Sequence, residues 1–200
     1  ISMMVGPTAV PDRVLQAMQR KSISHRSSEY CEIHQRVRDG LKKIFNTKNE
    51  VFILTSSGTG AMEAAIQNCF SYGDEVVVAV LGTFSAQFAA MLEAFQLKVT
   101  RVNFELGEAA DVKTVMEHVT PNTKGVVVIH NESATGVTND IEAFARELKD
   151  TDTLFITDSV SGAVGIETKM DEWGIDILLT GSQKALMVPS GLSFIALSDK

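Results

Sequence analysis

The stretch "VFILTSSGTGAMEAAIQNCF", residues 51–70, decides the fold. Its first five residues are apolar or β-branched, the composition of a buried strand. Two serines and two glycines follow, and apolar residues then return at helical spacing in "AMEAAIQNCF" (61–70). Strand, tight turn and helix open a βαβ unit, and the rhythm repeats downstream. Strand-like runs fall at 75–80, 98–104, 125–130, 153–160, 175–181 and 192–198. Helix-like segments follow the first three of these, at 85–95, 111–119 and 140–150. Alternation of this kind predicts an α/β fold, a mostly parallel sheet with helices on both faces. The connection between the runs at 175–181 and 192–198 is too short for a parallel crossover, so the last strand is expected to be antiparallel. Ahead of the sheet, 12–21 and 28–45 read as two helices joined by "SISHRS" (22–27). The expected organisation is an N-terminal helical segment, 1–50, continuous with one large domain, 51–200.

Composition narrows the function classes. Apolar residues make up 44% of the 200, enough for one sizeable core. Lys and Arg number 18 against 25 Asp and Glu, and apart from "RKSISHR" (20–26) the basic residues are scattered, so no nucleic-acid partner is expected. Apolar runs stay far below the roughly 20 residues of a membrane helix, and no secretory signal pattern opens the chain. A cytoplasmic location without membrane association is the expectation. Cys31 and Cys69 have neither metal-site nor disulfide-framework spacing and are expected to be buried free thiols. His25, His34, His118 and His130 do not cluster with other ligands, so no metal is expected.

In open α/β sheets, ligands bind beyond the carboxyl ends of the strands. After "VFILT", Gly58 and Gly60 permit a tight turn and Thr59 opens a helix whose free N–H groups suit a phosphate, although such a turn is also common as plain geometry. Asp158 ends an otherwise apolar run, where an ionised carboxylate needs a cap donor or a cationic partner such as a protonated ring nitrogen. Lys184, in "TGSQKALMVPSG" (180–191), leaves the next buried strand, where a lysine either reaches water or is held by chemistry. Taken in order, these are the three fixtures that pyridoxal 5′-phosphate requires: phosphate cradle, ring-nitrogen carboxylate and Schiff-base lysine.

"SSGTGAMEAA" (56–65), "HNESATGV" (130–137), "TDSVSG" (157–162) and "GSQKAL" (181–186) resemble, in order and spacing, the motifs of class V aminotransferases, closest to the serine–pyruvate and alanine–glyoxylate branch. The resemblance runs from "MVGPTAVPDRVLQAM" (4–18) to "SGLSFIALSD" (190–199) and implies the large domain of a fold type I pyridoxal phosphate transferase. By it, Lys184 forms the internal aldimine and Asp158 holds the pyridine nitrogen protonated. Ser57, Gly58 and Thr59 bind the phosphate, with Gln183 helping. Ser133 lies near the Asp158 end of the ring, Val160 packs on one ring face, and Phe84 stacks where the branch commonly has Trp. Asn131 stands for the commoner Gly of "HGES", and Ser28 for a Pro. The family's substrate-carboxylate arginine belongs to a C-terminal small domain that this sequence does not contain, so a missing C-terminal portion is expected, and Ile1 in place of Met is read the same way.

What the resemblance implies is transfer of the amino group of a serine- or alanine-type substrate to glyoxylate or pyruvate, in a homodimer. "RKSISHRSSEY" (20–30) is then either a solvated basic loop or part of the neighbouring subunit's site. Two alternatives stand beside this: another class V enzyme, of the aminoethylphosphonate transaminase or desulfurase kind, and a truncated fragment without activity. A desulfurase would need a reactive cysteine on a C-terminal loop. His130, at a strand end beside "NES", reads either as a contact to the cofactor region or as a hydrogen-bonded structural histidine, and Glu132 as a loop cap. Trp173 is expected to pack at a helix-to-strand turn.

Overall fold

The computed structural model describes residues 4–200; residues 1–3, Ile1 included, lie outside the described residues. Two helices lead, α1 (Asp12–Met18) and α2 (Ser28–Phe45), and then the alternating part begins. It runs β1 (Val51–Leu54), α3 (Gly58–Cys69), β2 (Glu75–Val80), α4 (Thr83–Ala94), β3 (Lys98–Asn103), α5 (Val112–Met116) and β4 (Thr123–Ile129). A short hairpin, β5 (Asn131–Glu132) and β6 (Val137–Thr138), precedes α6 (Ile141–Leu148) and β7 (Leu154–Asp158). One turn of helix, α7 (Met170–Trp173), leads to β8 (Ile177–Gly181) and β9 (Ser193–Leu197).

Seven strands form one sheet in the order β1-β9-β8-β7-β4-β2-β3. β8, β7, β4, β2 and β3 are mutually parallel, and β9 runs antiparallel to both of its neighbours, β8 and β1. The reversed last strand is therefore as expected. Its short return from β8 leaves no length for a crossover helix, and the strand instead fills the gap between β8 and the edge strand β1. β5 and β6 pair only with each other. Strands of two residues are below the length at which alternation shows in a sequence.

Each face of the sheet is covered. Ala61, Met62, Ala65 and Ile66 of α3, with Phe88, Ala89 and Leu92 of α4, pack on one face against Val127, Ile156 and Leu179. The opposite face meets Leu41 and Phe45 of α2, Phe144 and Leu148 of α6, and Met170 and Trp173 of α7. Trp173 thus packs where α7 turns into β8, as expected. Strand alternation sorts the residues: Phe155 faces α6 and Ile156 faces α3, so Asp158, two residues on, points to the α3 side. That periodicity turns a carboxylate toward the face of the sheet that α3 covers.

Helix starts follow their caps. Ser57, Asp111 and Asp140 each accept a backbone N–H from the first turn of α3, α5 and α6. Cysteine is the exception to the expected burial: Cys31 is exposed and Cys69 half-buried, both as free thiols. Of α2's eighteen residues only Leu41 and Phe45 are buried, so its N-terminal half, with Cys31, stays outside the core.

Phe144 is fully buried and stacks on Phe155 with ring centroids 6.2 Å apart. Phe144→Ala is expected to lower unfolding free energy by about 3–5 kcal/mol, read as a lower urea midpoint at unchanged m-value.

Candidate active site

A cleft of about 350 Å³ opens at the carboxyl ends of β4, β7 and β8, a volume suited to a small organic ligand. The turn from β1 into α3 contributes Ser57, Gly58 and Thr59, and the start of α4 contributes Phe84. Ser133 comes from the loop after β5, Asp158 and Val160 from the end of β7, and Gln183 and Lys184 from the loop after β8. All nine residues singled out in the sequence line this one cleft.

The α3 end is rich in donors. Ser57 Oγ accepts the Gly60 N–H at 3.2 Å, while the N–H groups of Gly58 and Thr59 find no acceptor among the described residues. With the dipole of a twelve-residue helix behind them, they make an anion-accepting corner. Glycine is needed at 58 for a steric reason: a Cβ there would stand 2.7 Å from Cγ2 of Val160. Without it, the Val160 side chain can close on the turn.

Phe84 is held by a buried carboxylate. Glu132, fully buried, accepts the N–H groups of Phe84 and Ser85 at 3.1 and 3.0 Å and the Ser85 hydroxyl at 3.1 Å. It also accepts the Ala134 N–H at 3.2 Å. The loop-cap reading of Glu132 is correct, but the helix it caps is α4, 48 residues back in the chain. One side chain so fixes the aromatic and, through its own loop, the adjoining Ser133.

Asp158 is the electrostatic focus. Its carboxylate is 3% exposed, takes one hydrogen bond, from the Val160 N–H at 2.8 Å, and forms no salt bridge among the described residues. Burial pushes its pKa up to about 7; the Val160 hydrogen bond lowers it, Glu132 raises it further, and the Lys184 charge lowers it. Lys184 is itself pulled down by burial and partly restored by Asp158. Its Nζ donates to the Val5 carbonyl at 3.0 Å and to Ser133 Oγ at 3.4 Å. Ser133 Oγ in turn shares a short hydrogen bond with Ser161 Oγ.

His130, 2% exposed, bonds through Nδ1 to Ser159 Oγ at 2.8 Å, and burial lowers its pKa to about 4. It does not line the cleft, so it is a neutral structural group. Sequence reasoning missed Gly6, Pro7, Asn131, Ser161 and Ser190 as cleft residues, and Met62 and Ile129 also line the cleft. Ser161 and Asn131 fall inside the quoted motifs "TDSVSG" and "HNESATGV", and that placement was the available signal. Nothing local marked Gly6 or Pro7.

The donor set fits pyridoxal 5′-phosphate: an anion-accepting helix start, a buried carboxylate with no salt bridge among the described residues, an amine of lowered pKa, and an aromatic face in one cleft.

Comparison with known proteins agrees. The family model for aminotransferase class V matches residues 3–200. The chain is 40% identical over 203 residues to the small subunit of a soluble hydrogenase of Synechococcus, covering 99% of this chain and 53% of that one. It is 36% identical over 203 residues to a serine–glyoxylate aminotransferase of Arabidopsis thaliana, covering 98% and 50%. The crystal structure of a Bacillus subtilis ureidoglycine–glyoxylate aminotransferase superposes with a TM-score of 0.95 at 28% identity, covering 98% and 51%. The chain therefore spans about half the length of these relatives. With its model match, its sheet order and its cleft in accord, the chain belongs to the class V aminotransferases, a family of pyridoxal 5′-phosphate enzymes.

Proposed function

We propose that the cleft holds pyridoxal 5′-phosphate for transamination, moving the amino group of a small amino acid of the serine or alanine type to glyoxylate or pyruvate. The observation that carries the reading is the unpaired, buried Asp158 facing the same cleft as Lys184. Relatives named for glyoxylate as acceptor support the substrate class.

Ser57, Gly58 and Thr59, with Gln183, would bind the phosphate, and Phe84 and Val160 would cover the two ring faces. When bound, the cofactor supplies an electron sink for the charge left at a substrate α-carbon that loses its proton. Asp158 would keep a proton on the ring nitrogen by offering it a buried carboxylate that forms no salt bridge among the described residues. Lys184 Nζ would take the proton from the donor's α-carbon and, in the second half of the cycle, deliver one to the acceptor's; burial lowers its pKa and so favours the neutral amine this needs. Ser133 orients that amine.

The reading extends to a cytoplasmic homodimer. No helix among the described residues is long and apolar enough to cross a membrane. Leu15, Met18, Val37 and Ile44 of α1 and α2 are exposed, and a second copy is the partner that would cover them. Sedimentation velocity is expected to give a dimer; a monomer at micromolar concentration would remove this part of the reading.

Incubation with pyridoxal phosphate and borohydride, followed by peptide mass analysis, is expected to find the cofactor on Lys184. In Lys184→Ala the label should be absent and transamination reduced by roughly 10²–10⁴-fold or more. Cofactor on another lysine would refute the assignment.

Asp158 also makes stability depend on pH. Its folded pKa, about 7, lies above the unfolded value of 3.8, so the folded state holds the proton more tightly. The cofactor-free protein should therefore lose stability as pH rises through that window and have lost all of this contribution above it. At about 1.4 kcal/mol per unit the loss has an upper bound of roughly 4 kcal/mol. Asp158→Asn should flatten this dependence and melt higher than the unmodified protein at pH 8 without cofactor, while binding pyridoxal phosphate more weakly.

A further inference from the structure

The residues before α1 return to the loop that carries Lys184. The Thr8 N–H donates to the Gln183 carbonyl at 2.8 Å. The Thr8 hydroxyl lies 2.7 Å from the Lys184 carbonyl and 3.2 Å from that of Gln183. Upstream, the Val5 carbonyl accepts from Lys184 Nζ at 3.0 Å, a closer contact than the 3.4 Å to Ser133. Between these anchors Gly6 crosses the lysine stem: a Cβ on it would stand 2.9 Å from Cδ and 3.0 Å from Cε. Its φ of +152° is a further reason for glycine there. Gly6 and Pro7 form part of the cleft wall.

We infer that Thr8 is a positioning residue for the Lys184 amine: it ties Val5–Thr8 down as a strap whose Val5 carbonyl holds Nζ and whose Gly6 backbone covers the stem. The purpose given to that amine rests on the reading of Lys184 as the cofactor-holding lysine; the strap itself does not. A lysine side chain has four rotatable bonds and loses much rotamer freedom when held in one geometry. Two acceptors and a cover reduce the number of conformers it samples before any ligand arrives. A side-chain hydroxyl and an N–H from one residue, both spent on the carbonyls of 183 and 184, make the strap move with the lysine loop. Val5 itself is 62% exposed, so burial of its side chain does not hold the strap in place.

The test compares wild type, Thr8→Val and Thr8→Ser without cofactor. Each is treated with trinitrobenzenesulfonate at several pH values, and modification of Lys184 is followed by peptide mass analysis. Lys98, with its side chain 70% exposed, serves as internal reference. Valine keeps the shape and the N–H but removes the hydroxyl. Lys184 is expected to react roughly five- to ten-fold faster in Thr8→Val, the effect of losing a hydrogen bond of ordinary net strength. Lys98 should be unchanged, and Thr8→Ser should react at the wild-type rate. Equal Lys184 rates in all three proteins overturn the inference. Amide hydrogen exchange on wild type needs no variant: a protected Thr8 N–H is expected, and exchange at the free-peptide rate overturns the strap. Borohydride trapping with pyridoxal phosphate separates the two ideas. Wild type that traps no cofactor on Lys184 while the Thr8 variants still differ overturns the functional reading alone. Trapping on Lys184 with no difference between variants overturns the strap alone.

Discussion

A carboxylate at the end of a central strand, enclosed by α3 on one side and by its own loop on the other, is the constraint on which the site depends. Removing an ion from water is costly, and among the described residues a single backbone N–H is the only hydrogen-bond donor to Asp158. Such a group either keeps its proton or waits for a cation. Glu132, buried close by, adds to the pressure as a like charge, while its own oxygens accept the N–H groups at the start of α4. The two acids divide the work. One is satisfied by the protein and holds an aromatic wall, and the other is left unsatisfied and facing the cleft.

The sheet explains how these groups meet. β4, β7 and β8 are parallel neighbours, so their carboxyl ends deliver Ser133, Asp158 and Lys184 to one rim. The donors of α3 come from β1, an edge strand two places away from β8, and α3 crosses back over β8 and β9 to bring them in. The small residues of its inner face, Ala61 and Ala65, let it lie close to the sheet.

Much of this was legible in the sequence because it is written in short-range pattern. Alternating runs announced the sheet, and a short return announced the reversed last strand. Polar residues placed directly after apolar runs announced the cleft, since a charge at the end of a buried strand needs a reason to be there. What was not legible depends on distance along the chain. Gly6 and Thr8 meet Lys184 across almost the whole sequence, and no periodicity within "VGPTAV" reports that partner. Glu132 read as a loop cap, yet the helix it caps could be found only in three dimensions. Cys31 shows the opposite failure: general preference predicts burial, but it lies on the part of α2 that has no core against it.

The reversed strand β9 also bears on how the chain assembles. Among the described residues β1 pairs only with β9, in the register Val51 to Ala196. A strand formed early must therefore stay unpaired until the far end of the domain has been synthesised. Contacts so distant in sequence close slowly, and until they close, an apolar strand edge and the helix it positions are open to intermolecular pairing. The anion-accepting corner of the cleft is then among the last parts to mature. Chaperone demand during synthesis and late acquisition of ligand affinity have, on this view, the same topological origin.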